Sequence, residues 1–357
     1  MASNIGYAAS DASAPLAPLE FDRRPVGSED VRIDIKFCGI CHSDIHQARD
    51  EWDGALATNY PCMPGHEVAG IVTEVGKDVK KYALGDRVGV GCMVFWGADE
   101  TRGVDDEQYQ RPPAIYTYNS VDPQTGKRTF GGYSDEIVVN EHFVLRIPDS
   151  LPLEKAAPIL CAGVTTWSPL RHWNVGPGHV VGVAGIGGLG HMAVKLAKAR
   201  GAAKVIAFTT TAGKKDDALK LGADEVVVMS DSADVAAHAG SLDFLLSTIP
   251  EAFDMKPYES LLKHDGTLVT VGAITKARDG DIDLAAITMS RTAIAGSLIG
   301  SIAETQEVLD FCAENGIGPD IEIIPIDQVN EAFDKVVGKE VRFRYVIDNS
   351  TLPKAGS

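Results

Sequence analysis

Three separated segments of this chain carry residue types that could hold a metal. Cys38 to His46 reads C-G-I-C-H-S-D-I-H, and further on stand Pro64-Gly65-His66-Glu67 and Leu160-Cys161-Ala162-Gly163. A C-x-x-C pair alone suggests half a zinc site or a redox pair. No second C-x-x-C exists, and no thioredoxin pattern surrounds this one. One cysteine from the first segment, Cys161 and His66 would supply two sulfur donors and one nitrogen, with Glu67 adjacent. Thiolate and imidazole suit Zn2+, and three protein ligands leave a position for a substrate oxygen. The plain alternative is that these are ordinary buried residues.

A second constellation lies at Val180 to Gly190, V-V-G-V-A-G-I-G-G-L-G. Gly185, Gly187 and Gly190 form G-x-G-x-x-G between an apolar run and a helix-like stretch. The first glycine would make the tight turn, the second would let backbone approach a pyrophosphate, and the third would allow close helix–strand packing. A purely structural glycine turn is the alternative. The next strand, K-V-I-A-F, ends in Thr209-Thr210-Thr211 with Lys214 and Lys215 behind it, and no carboxylate precedes Asp216. An acidic residue there would hold the ribose hydroxyl of NAD. Hydroxyls and an ammonium suit a 2′-phosphate, so NADP(H) is expected over NAD(H); ordinary strand-end threonines and solvated lysines are the other reading.

The elements that must position these residues follow from the patterning. Up to about residue 150 the chain reads as short strands with long loops. Val31 to Cys38 alternates with period two, Val68 to Val75 and Arg87 to Val90 are similar, and Gly39, Pro64-Gly65, Gly76, Gly85-Asp86 and Gly131-Gly132 punctuate them. From about residue 154 strands alternate with helices: Val180–Ala184, a helix over 189–200, Lys204–Phe208, a helix over 214–221, Glu225–Met229, Phe244–Ser247 and Thr267–Val271. That rhythm predicts a parallel sheet covered on both faces. A helix over 304–315 and a strand over 342–347 follow, and this tail is expected to return to the first domain. The fold class is therefore α/β, a Rossmann-type doubly wound sheet over 154–292 plus a β-rich domain from 1–153 and 293–357.

Composition narrows the partners. The 357 residues carry 33 basic against 50 acidic side chains, a net charge of -17, which repels phosphate backbones and anionic membranes. Six cysteines spread irregularly over this length are no disulfide framework. The first residues, M-A-S-N-I-G-Y-A-A-S-D, lack a basic and apolar leader, and the apolar stretch near 180–197 is broken by glycines, His191 and Lys195. A cytoplasmic protein without nucleic-acid or membrane partners is expected.

Taken together, G-I-C-H-S-D, P-G-H-E-V-A-G, G-D-R-V-G-V-G-C, G-G-Y-S-D, L-C-A-G-V-T-T, G-I-G-G-L-G-H and E-T-Q-E-V-L-D-F-C resemble the zinc-dependent medium-chain alcohol dehydrogenases, in particular the cinnamyl alcohol dehydrogenase branch with its bacterial broad-range aldehyde reductases. The resemblance spans nearly the whole chain, in order. It implies a GroES-like catalytic domain beside the Rossmann domain, a homodimer paired through the nucleotide domains, and reversible reduction of an aldehyde to a primary alcohol. It makes Cys41, His66 and Cys161 the catalytic zinc ligands, Glu67 an exchangeable fourth, Ser43 the partner of the substrate oxygen and His46 the outlet for its proton. Thr165 and Gly187, Gly188 and Leu189 would contact the cofactor; Thr209, Thr210 and Lys214 its 2′-phosphate. Trp52 and Trp167 match positions near the substrate pocket, with ordinary packing as the alternative for each. Cys38 is not a ligand in that family. A zinc-independent quinone or enone reductase of the same fold and a non-catalytic NADP-binding protein are the competing readings; the retained Cys41–His66–Glu67–Cys161 set disfavours the first and the retained Ser43–His46 pair the second.

One departure is large. The loop after G-V-G-C carries four further cysteines in that family, binding a structural zinc. Here those positions fall on Gly97, Glu100, Gly103 and Arg111, and residues 93 to 116 hold no cysteine or histidine. Glycine and arginine cannot replace thiolates. One zinc per chain is expected, with the lobe held by Phe95, Trp96, Tyr109 and Tyr116 and ion pairs from Arg102 or Arg111.

Overall fold

A computed structural model describes residues 4–52, 56–96, 114–272 and 282–356. The chain divides into two compact units, Met1–Cys161 with Ser301–Ser357, and Ala162–Gly300. Both boundaries lie eight residues beyond those read from the sequence, for a packing reason. The helix Leu153–Pro158 packs on the strands Asp30–Gly39 and Val68–Val75 and so stays with the first unit. The strand Ala293–Gly296 pairs in parallel with Leu262–Thr270 and so stays with the second.

The first unit is built on a seven-stranded sheet whose spine is Asp30–Gly39. Val31, Ile33 and Ile35 alternate into the core, each at most 2 % exposed. Val68–Val75 runs antiparallel along one side of that spine; Glu136–Asn140 and Arg344–Asp348 share the other, pairing with Asp30–Asp34 and Phe37–Gly39. The C-terminal strands Ile321–Pro325 and Arg344–Asp348 thus complete a sheet begun near the N-terminus. A hairpin, Asn4–Ala8 with Ala17–Phe21, lies outside this sheet. In the lobe after Cys92, Met93–Trp96 pairs with Ala114–Tyr116, and the Phe95 ring lies 6.2 Å from that of Phe143. The four substituted zinc positions, Gly97, Glu100, Gly103 and Arg111, and also Arg102 and Tyr109, lie outside the described residues.

The second unit is a six-stranded parallel sheet in the order Glu225–Val228, Lys204–Thr209, Val180–Ala184, Leu242–Ser247, Leu262–Thr270, Ala293–Gly296. Strand order reverses on the two sides of Val180–Ala184, the crevice where doubly wound sheets bind ligands. Ala184, Ile206, Phe208, Val227, Leu242, Leu245 and Leu268 form its core. Short apolar runs buried on both faces explain why the sequence shows continuous hydrophobic stretches here and alternation in the first unit. Among the described residues no helix is long and apolar enough to cross a membrane.

Candidate active site

The helix His42–Ala48 starts directly after the spine strand, so its N-terminal turn and N-cap residue Cys41 are anchored to the sheet. Asp44 closes that turn by accepting the Cys41 amide at 2.9 Å. The buried Asp44 carboxylate also accepts the Gly65 amide at 3.1 Å and the Tyr133 hydroxyl at 3.3 Å, and it lies 3.0 Å from His66 Nδ1. It therefore ties two of the three motif segments together. With Nδ1 held, the imidazole presents Nε2, which lies 3.2 Å from Cys161 Sγ. Cys161 sits in a π-helical turn, Ile159–Gly163, between two α-helical segments, a local widening of the helix that recurs at functional sites. Cys41 Sγ is 3.9 Å from Cys161 Sγ.

One donor atom each from Cys41, His66, Glu67 and Cys161 lies within 4.8 Å of all the others, and all four residues are buried. Glu67 is pinned by a buried ion pair to Arg344 through Oε1, while its Oε2 has no hydrogen-bond partner. Gly39 makes room for it, since a Cβ there would come within 1.9 Å of Glu67 Oε2. Burial pushes the Glu67 carboxyl up to about 7, against the pull of Arg344. The hydrogen bond from Cys161 draws the Cys41 thiol well below its ordinary range, and Cys161 holds its own proton more tightly in return. Two sulfurs, an imidazole with a carboxylate behind it, and an unpartnered carboxylate oxygen fit a Zn2+ ion in donor chemistry and in arrangement.

Ser43 and His46 follow on the same short helix. The Cys41 thiol points to Ser43 Oγ at 3.6 Å. His46 Nδ1 is 2.7 Å from Glu51, and the His46 ring lies 4.7 Å from that of His42 and 5.1 Å from that of Trp52. Trp52 thus stands beside His46. Trp167 belongs to the second unit, is 2 % exposed, and carries the Arg200 guanidinium 4.6 Å over its ring.

In the second unit the glycine turn joins Val180–Ala184 to the helix Gly190–Ala199. Gly185 has φ +87°, and a Cβ on Gly190 would come within 1.9 Å of Gly185 O, so the first and third glycines are required sterically. Around Gly187 a Cβ would meet nothing within 4 Å, which leaves backbone open to a ligand. Gly188 and Leu189 are half-buried at the same turn, with Leu189 as helix N-cap. The adjacent strand ends at Thr209, whose hydroxyl is engaged with the Thr211 backbone at 3.3 Å. Thr210 is exposed, and Lys214 reaches back to the Ile186 carbonyl at 3.0 Å. Thr165 is buried in the helix Val164–His172 of the same unit.

Sequence reasoning missed Asp44, Glu51 and Arg344. Asp44 directly follows Ser43 and Glu51 directly precedes Trp52, so a carboxylate beside each histidine was within reach. Arg344 lies 277 residues from Glu67 and gives no local signal.

Comparison with known proteins decides the family. Residues 27–149 match the alcohol dehydrogenase GroES-like domain and residues 188–314 match the zinc-binding dehydrogenase domain. The chain belongs to the zinc-binding, GroES-like alcohol dehydrogenase family. It is 50 % identical to the aldehyde reductase YahK of Escherichia coli over 96 % of this chain and 97 % of that protein. It is 49 % identical to the NADP-dependent alcohol dehydrogenase C 1 of Mycolicibacterium smegmatis over 99 % of each. Among solved structures of the family, a cinnamyl alcohol dehydrogenase of Sorghum bicolor superposes with TM-score 0.93 at 42 % identity, covering 99 % of this chain and 100 % of that one. One from Helicobacter pylori, complexed with NADP(H), superposes with TM-score 0.87 at 40 % identity, covering 97 % and 98 %.

Proposed function

We propose that this chain is an NADP-dependent alcohol dehydrogenase of the aldehyde-reductase type, interconverting aldehydes and primary alcohols with one catalytic zinc. The observation that carries this reading is the buried donor set of Cys41, His66 and Cys161, with Asp44 behind the imidazole and the unpartnered Glu67 oxygen beside it. Bound there, Zn2+ would supply Lewis acidity toward a carbonyl oxygen, and a bound nicotinamide would supply the hydride.

The chain's own residues orient the reactants and move the proton. Ser43 Oγ, next to Cys41, holds the substrate oxygen and gives it a proton as alcohol forms. His46 restores that proton to Ser43, and Glu51 holds the imidazole through Nδ1. Trp52 borders this path and shapes the aldehyde's access. The open backbone at Gly187, with Gly188 and Leu189, receives the pyrophosphate at a helix N-terminus. Thr210 and Lys214 accommodate the 2′-phosphate, with Thr209 shaping the turn that presents them. Thr165 takes the nicotinamide side. The name of the NADP(H)-bound relative supports the cofactor. The lobe without cysteines carries no structural zinc, and two copies pair through their nucleotide-binding units.

The test is NADPH oxidation measured across a panel of aliphatic and aromatic aldehydes, before and after chelation, with NADH in parallel. Aldehyde-dependent turnover that stops on chelation and returns with zinc is expected. Turnover that survives complete metal removal, or a clear NADH preference, would overturn the corresponding part.

A further inference from the structure

The glycine turn of the second unit is closed by a residue that its motif does not contain. Thr248 stands directly after the strand Leu242–Ser247, which runs parallel to Val180–Ala184 at the crevice where strand order reverses. Its amide donates to the Ala184 carbonyl at 2.9 Å and so extends the ladder past the strand end. Its hydroxyl lies 2.8 Å from the Gly185 carbonyl and 3.1 Å from that of Ala184. A hydroxyl has a single proton to donate. The Ala184 carbonyl is already served by the amide, so that proton belongs to Gly185. The same oxygen fills the clearance left by two missing side chains: a Cβ would come within 3.0 Å of it from Gly185 and within 3.2 Å from Gly190. Glycine has more backbone freedom to lose than any other residue, so a turn of glycines is ordered by the bonds made to it from outside. The Lys214 ammonium makes a second such bond, to the next carbonyl, that of Ile186, at 3.0 Å.

We propose that Thr248 is a positioning residue for the dinucleotide, its hydroxyl fixing the Gly185 carbonyl so that the amides of the turn are set for the pyrophosphate. The proposal rests on the nucleotide reading above. In a trans peptide the carbonyl and the following N–H point in opposite directions across a rigid plane. With the Gly185 carbonyl held by Thr248 and the Ile186 carbonyl by Lys214, the Ile186 and Gly187 amides are turned away from both side chains. The clearance at Gly187, where a Cβ would meet nothing within 4 Å, leaves room for a phosphate to reach them. Without the hydroxyl the first of these peptide planes is free to rotate, and binding must order it at a cost in affinity. The hydroxyl acts through the turn, so its effect falls on cofactor binding and leaves the chemical step alone.

The experiment titrates the full-length protein by calorimetry with NADPH and, separately, with adenosine 2′-monophosphate, which keeps the 2′-phosphate and lacks the pyrophosphate. Thr248→Val keeps the branched shape and loses the hydroxyl. Its Kd for NADPH is expected to rise roughly 5- to 10-fold, the loss of one hydrogen bond from a carbonyl left in place. KM for NADPH should rise in step, while kcat at saturating NADPH and the affinity for adenosine 2′-monophosphate stay at the wild-type level. Thr248→Ser, which restores the hydroxyl, should bind NADPH as wild type does. Should Thr248→Val not fold, Thr248→Ala read against Thr248→Ser makes the same comparison. An unchanged Kd without the hydroxyl, an equal loss of both ligands, or a Thr248→Ser variant as weak as Thr248→Val overturns this proposal alone. A wild-type protein that binds no NADPH overturns it together with the cofactor reading.

Discussion

Asp44 shows how much one side chain outside the ligand set can decide. Its two oxygens serve the Cys41 amide, the Gly65 amide, the Tyr133 hydroxyl and His66 Nδ1, so it orients one ligand and fixes the loop carrying another. Asp44→Asn keeps the size but removes the charge behind the imidazole. Metal affinity is expected to fall on the order of 10- to 100-fold, read by competition with a chromogenic chelator. His46 is the second residue-scale case. Glu51 orients it, and His46→Ala should lower kcat for aldehyde reduction roughly 100-fold while metal content stays at the wild-type level. An unchanged kcat would remove His46 from the proton path. Both carboxylates sit next to residues the motifs already name, yet only the folded geometry says that each faces a histidine.

At the scale of elements, the helix Ile302–Asn315 begins the return to the first unit and is fastened by a capping box. Ser301 Oγ accepts the Glu304 amide at 3.0 Å, and the Glu304 carboxylate accepts the Ser301 amide at 2.8 Å. Ser301→Ala should cost about 1 kcal/mol in urea unfolding, since one helix donor loses its partner. The helix Ser232–Ala237 is held differently. His238, just past its end, lies 2.8 Å from the Asp234 carbonyl through Nδ1 and 3.1 Å from Glu225 through Nε2, while Lys204 also pairs with Glu225 at 2.7 Å. The Asp234 contact first, then Glu225, raises the His238 pKa above its ordinary 6.5, against a partial loss from burial. A raised pKa in the fold means that the protonated form is the stabilising one. The contribution is complete below the ordinary value and disappears as pH rises through the folded one. Hydrogen exchange of residues 232–237 should accelerate as pH rises above the ordinary histidine value of 6.5, beyond the intrinsic base dependence, and His238→Gln should remove that excess. An identical pH profile in the variant would show that His238 does not hold the helix.

For the whole molecule, the distinguishing expectation is metal stoichiometry. The donor set of the first unit accounts for one zinc, and positions 97, 100, 103 and 111 offer no thiolate or imidazole for a second. Metal analysis of purified protein should give about one zinc per chain; two would mean that ligands outside both sets exist. All six cysteines are buried and none is bridged, which fits thiols used for packing and ligation.

Residue type and spacing by themselves determined the chemistry available. G-x-G-x-x-G after an apolar run requires a strand–turn–helix, and Gly185 and Gly190 occupy conformations or clearances that a side chain would spoil. Period-two alternation in Val31 to Cys38 and continuous apolar runs beyond residue 180 separated the two kinds of sheet, because those patterns report local burial. The tertiary structure alone decided which distant groups meet. Arg344 reaches Glu67 because the C-terminal strand pairs with the spine strand that ends at Gly39, a consequence of sheet order invisible to spacing. Arg200 lies over the Trp167 ring, a contact that an indole on a helix face does not announce in the sequence. Local pattern is written by neighbours in sequence, whereas a buried charge or thiol acquires its partner only when the chain closes on itself.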